Sequence, residues 1–143
     1  MNLFRFGTGL LLFACVSGLL QAQPSSKSPN VVTGTYTYRT DAESLEQLGD
    51  TVCFHPRAGS QFQHSRPSDD RRLMWFCFTN IDDAKHKLRI PPLANIKECG
   101  LQGQATVKID KYQTGKEDTD DFDVAHLVDV RQVSKTRPLV CPD

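Results

Sequence analysis

The sequence predicts a small, mainly β domain of five strands, with one short helix between the third and the fourth. Three observations carry that expectation. Short runs of alternating β-branched or aromatic and polar residues recur between turn signals, as in Val31–Arg39, VVTGTYTYR. A single helical pattern, with caps and a double proline stop, follows directly on an aromatic run in Trp75–Pro92, WFCFTNIDDAKHKLRIPP. Four cysteines are dispersed through the body of the chain.

The elements follow in order. Met1–Ala22 has the pattern of a secretory signal peptide. Arg5 supplies a positive start, Leu10–Val16 with Leu19–Leu20 an apolar centre, and Leu20-Gln21-Ala22 a small-residue cleavage site. Ser17, Gly18 and Gln21 interrupt the run of about 20 apolar residues that a membrane span needs. Cys15, in LFAC, offers a lipid-anchor alternative that Phe13 and the continuing apolar run disfavour. Residues 23–30, QPSSKSPN, form a polar, breaker-rich leader, and residues 31–143 form one domain.

Within that domain Val31–Arg39 is the first strand. Asp41–Asp50 is acidic, with Leu45 and Leu48 at helical spacing, and predicts a turn of helix or a structured loop. The second strand is Asp50–Phe54, ended by His55-Pro56, and a polar loop from Arg57 to Arg72 leads to the third, Leu73–Thr79. Thr79 or Asn80 then caps a helix. Asp82 and Asp83 stand in its first turn and Lys85, Lys87 and Arg89 near its end, each sign complementing the dipole. Ile81, Ala84 and Leu88 fall on one face of it, and Pro91-Pro92 stop it. Gln104–Tyr112 is the fourth strand, Thr114–Asp123 an acidic loop and Val124–Val133 the fifth strand. A tail carries Cys141.

Charge and cysteine usage narrow the function classes. The formal charge is zero, and loss of Arg5 with the signal leaves 16 basic residues against 17 acidic. That balance disfavours nucleic acid as a partner. Four cysteines in an exported chain point to two disulfides. Their separations of 24, 22 and 42 positions do not fit a zinc motif. Alternation places Cys53 and Cys77 on the outer face of adjacent strands and so favours Cys53 with Cys77 and Cys99 with Cys141. Pairing of Cys53 or Cys77 with Cys141 stays open.

The order β-β-β-α-β-β, the helix placement and the final hairpin QATVKIDKYQT…FDVAHLVDVRQV together resemble the oligonucleotide/oligosaccharide-binding (OB) fold. The likeness is one of topology and covers about Val31 to Val133. It implies a five-stranded barrel whose open underside the helix closes. It also implies binding through the face of strands two and three and the loops joining strands one–two and four–five.

The residues at those places suggest what could be bound. Asp41, Glu43, Glu46 and Asp50 would flank one side, and Glu117, Asp118, Asp120, Asp121 and Asp123 the other. Such lips would repel phosphate and attract a cationic protein patch or calcium. The set Asp118, Asp120, Asp121, Asp123 is a weak calcium candidate that lacks the EF-hand glycine and terminal glutamate. Between strands two and three, His55, Arg57, His64, Arg66, Arg71 and Arg72, with Phe62, make a basic, aromatic-bearing patch beside Trp75. The histidines form no metal motif, and Ser60, Ser65 and Ser68 lack a strained glycine elbow. The expected function is therefore non-enzymatic binding of a protein or cell-envelope component, inhibitor- or immunity-like in one form, without a cofactor. The alternatives are an oligosaccharide or small-ligand binder using Trp75 and nearby arginines, and a secreted hydrolase.

Overall fold

The computed structural model describes residues 30–58, 60, 72–96, 99–115 and 122–141. Its elements are β1 (Asn30–Arg39), α1 (Ala42–Leu48), β2 (Val52–Pro56), β3 (Phe76–Phe78), α2 (Ile81–Lys87), a 3-10 turn (Leu93–Asn95), β4 (Gly100–Gln113), β5 (Asp123–Val133) and β6 (Arg137–Pro138). The expected signal segment lies outside the described residues.

Five strands close in a ring. β1 pairs antiparallel with β2 on one side and with β4 on the other. β2 pairs with β3, β3 runs parallel to β5, and β5 pairs back to β4. β6 adds two residues to the outside of β4. Closing so few strands requires sharp coiling, and β4 supplies it. Its register with β5 shifts at three places, and Lys111 has φ +48° beside the last shift. Such irregularities bend a strand and raise its twist.

The interior follows from the two-residue period of the strands. Val32, Tyr36 and Tyr38 of β1, Val52 and Phe54 of β2, and Phe76 and Phe78 of β3 are buried in one cluster. Val107 and Ile109 of β4 and Ala125 and Leu127 of β5 complete the ring. Phe54, Phe76 and Phe78 meet one another with ring centroids 5.5–6.1 Å apart. Gly103 is the small residue opposite a large one, because a Cβ there would lie 2.4 Å from the Tyr36 hydroxyl. From α2, Ala84 and Leu88 enter the same cluster, and Tyr36 donates to the Leu88 carbonyl at 3.4 Å.

Several boundaries differ from the sequence expectation, each for a local reason. β3 is three residues long, because only Phe76, Cys77 and Phe78 find partners on β2 and β5, while Leu73 stays 87% exposed. β2 continues to Pro56, which pairs with Gly34 at a strand end where the missing N–H does no harm. β4 begins at Gly100, since β1 is long enough to pair with it from Asn30 to Arg39. β5 begins one residue early at Asp123, and β6 and the 3-10 turn were not expected.

Asn80 is the N-cap of α2, but its side chain makes no capping bond. It instead accepts from the Leu127 amide and donates to the Leu127 carbonyl, both at 2.9 Å, tying the helix start to β5. Cys53 bonds Cys77, directly opposite it in the β2–β3 ladder, and Cys99 bonds Cys141. Two such cross-links fit an oxidising environment. Among the described residues no helix is long and apolar enough to cross a membrane.

Candidate functional site

While alternate residues of β1 fill the core, their neighbours Thr33, Thr35, Thr37 and Arg39 look outward and none is buried. On β2 the corresponding outward positions are Cys53 and His55, registered against Thr37 and Thr35. Arg57 follows β2 and donates its amide to the Thr33 carbonyl at 2.8 Å. Two clefts open on this outer face. The first, about 220 Å³, is lined by Thr37, Arg39, Ser44, Leu48, Gly49, Thr51, Cys53, His55 and Trp75. α1 forms one wall of it. The second, about 230 Å³, is lined by Thr33, Gly34, Thr35, His55, Pro56, Arg57 and Gln104. His55 borders both, so the clefts lie end to end along the strand pair.

Trp75 stands half-buried at the edge of the first cleft. Its ring lies within 15° of parallel to His55 at 5.9 Å and within 24° of parallel to Phe122 at 5.6 Å. The indole thus stacks with two protein rings. Desolvation of its partly covered ring pushes the His55 imidazole below its ordinary pKa, and the Arg39 charge adds to the shift.

Three of the acidic residues expected at the two lips, Asp41, Asp50 and Asp123, are engaged within the protein. Asp41 caps α1, accepting from the Ser44 amide at 3.0 Å, and that bond holds its carboxyl below the usual range. Its second oxygen has no hydrogen-bond partner and faces Arg39 across a long 3.7 Å contact. Asp50 takes the Lys85 ammonium at 2.6 and 2.8 Å and the Tyr38 hydroxyl at 2.9 Å. The Lys85 bond lowers Asp50 despite partial burial. Burial alone would lower Lys85, and the bonds to Asp50 and Tyr38 instead carry it above its ordinary value. Glu43 remains exposed on α1, with Gln47 donating to it at 3.4 Å.

Asp123 corrects the loop expectation outright. It is 2% exposed inside the start of β5, accepting from the Tyr112 hydroxyl and from the Gly115 amide at 2.9 Å. It is thus a buried strand residue rather than a solvated loop charge. Glu117, Asp118, Asp120 and Asp121 lie outside the described residues, as do Phe62, His64, Arg66 and Arg71. Arg57 is exposed at the end of the second cleft. Arg72 donates to the Gly115 carbonyl at 3.2 Å, joining the approach to β3 with the end of β4.

Sequence reasoning passed over Thr33, Thr35, Thr37, Arg39 and Gln104, although the alternation of VVTGTYTYR put the first four on one face. The signal was present, but threonines on a strand carry no chemistry until a cleft forms beside them.

On β4–β5 the outer face has a different character. His126 Nδ1 lies 3.0 Å from Asp110 Oδ1 at a directly registered position. Among the described residues no hydroxyl or thiol hydrogen-bonds to that histidine. No group of three metal-ligating side chains is assembled among the described residues either. No family model, curated protein or solved structure matches the chain.

Proposed function

We propose that the chain is an exported, non-catalytic binding module of OB-like architecture that engages a protein or cell-envelope partner through the outer face of β1–β2 and the adjoining start of β3. The OB-like reading is supported by the ring order β1-β2-β3-β5-β4, by its single parallel pair β3–β5, and by α2 standing between β3 and β4 with its apolar side in the core. Export is supported by the pattern of residues 1–22 and by the two disulfides.

One observation carries the functional part: two open clefts joined at His55 along a polar sheet face. Each is smaller than the roughly 300–1,000 Å³ typical of sites for drug-sized ligands. Each suits a single side chain or ring, and end to end they suit an extended partner. Use of Trp75 as a stacking platform for sugars finds less support, because His55 and Phe122 already stack on the indole.

The test is site-specific photo-crosslinking in the native envelope or secretome. A photoreactive residue at Thr35 should trap a discrete partner, and the same group at Lys108, on the outer face of β4, should not. Equal labelling from both positions, or none from Thr35, refutes the assignment of this face.

A further inference from the structure

We infer that the segment received by this face is an extended acidic peptide of a partner protein; the inference rests on the reading of the β1–β2 face as the binding surface. Among the described residues neither cleft is lined by a carboxylate, in a chain that carries 17 acidic residues against 17 basic. The lining instead ends in a guanidinium on either side. Arg39 keeps 43% of its side chain exposed, and among the described residues its carboxylate contact is the long one to Asp41, whose stronger bond goes to the Ser44 amide. Arg57 is exposed, with no side-chain partner among the described residues. His55 lies between them.

Arg57 stands abreast of Thr33, so six strand positions separate it from Arg39, about 20 Å at the rise of a β-strand. A peptide of about six extended residues spans that length. Thr33, Thr35 and Thr37 repeat every second residue along it, the interval at which an extended peptide presents successive groups on one side. Arginine suits the ends of such a track, since its fork binds carboxylates through paired charge-assisted hydrogen bonds. The partner charge argued from these arginines is opposite to the one the acidic lips suggested; of that acidic set Asp41, Asp50 and Asp123 bond within the protein, and Glu43 and Glu46 stand exposed on α1 outside the cleft lining.

The chain has one tryptophan, Trp75, at the rim of the first cleft, so its emission reports occupancy. The mature chain is titrated with a short peptide of alternating glutamate and serine, with its lysine counterpart, and with a uronic-acid oligomer of equal charge. The expected result is a saturable emission change with the glutamate peptide alone. Replacement Arg39→Gln with Arg57→Gln should weaken it at least about tenfold, and Arg131→Gln, exposed on β5, should leave it unchanged. No saturable response, tighter binding of the lysine peptide or the uronate, or an unaltered response in the double variant overturns the inference. Crosslinking at Thr35 that persists in the double variant would retain the face and remove only its acidic preference. Loss of all crosslinking at Thr35 in the unaltered chain would remove both.

Discussion

The two sides of β1–β2 share a backbone and little else. Inward, Val32, Tyr36, Tyr38, Val52 and Phe54 are almost wholly excluded from water. Outward, threonines, Arg39 and His55, each one residue away, border open clefts with Arg57 just past the end of β2. The two-residue period of a strand allows one segment to specify a core on one face and a surface of different chemistry on the other. The difference teaches that what closes the ring lies chiefly inside it, while the outer face, apart from the Cys53–Cys77 disulfide, presents side chains that can be altered without reaching the core.

The largest way to break the comparison is from within. Phe76→Ala removes a fully buried ring that meets Phe54, Phe78 and Tyr112. It should cost about 3–5 kcal/mol in urea unfolding followed by circular dichroism. Removing either disulfide as a pair of alanines comes next, at about 3–4 kcal/mol by loop closure over separations of 24 and 42 residues. A cost well below that for Cys99–Cys141 would show the tail to be dispensable to the ring. Asn80→Ala leaves both backbone groups of Leu127 without their partner and should cost about 1–3 kcal/mol, read from the same denaturant curves.

Smaller effects sharpen the picture through pH. Asp50 is depressed by its bond to Lys85, so its contribution is present above the ordinary carboxylate range near 3.9 and is lost as pH falls through the lower folded value. Because that pair is partly exposed, Asp50→Asn should remove less than about 1 kcal/mol and flatten the acid limb of stability. His55 is also depressed, so the unfolded chain takes up its proton first. Stability should fall as pH drops below about 6.5, and His55→Gln should abolish that step. Smallest of all, Arg39→Gln with Arg57→Gln should alter stability by no more than about 0.5 kcal/mol, since both are surface side chains outside the core.

Most of the fold was legible because hydrophobic period and helix signals are local. The alternation of VVTGTYTYR and the helix between Asn80 and Arg89 could be read from residues near in sequence, while strand parity favoured opposed Cys53 and Cys77 without excluding Cys141. The extents of β3 and β4 could not, because each is set by how far β1, β2 and β5 run beside it. The candidate site was legible only in pieces. Trp75 and Arg57 carry recognisable chemistry, but the stacking that occupies the indole comes from His55 and Phe122, which are distant in sequence from it or from each other. Asp41, Asp50 and Asp123 looked like solvated loop charge, and it took Ser44, Lys85 and Tyr112 in three dimensions to engage them.

The separation of the core from the proposed binding face is tested most directly by amide chemical-shift mapping of the labelled protein during titration with the glutamate peptide. The changes should gather at Thr33, Thr35, Thr37, Arg39, His55 and Arg57, with the amides of Leu127 and Ile109 unmoved. Changes centred instead on Asp110 and His126, or spread evenly through the interior, would contradict the account.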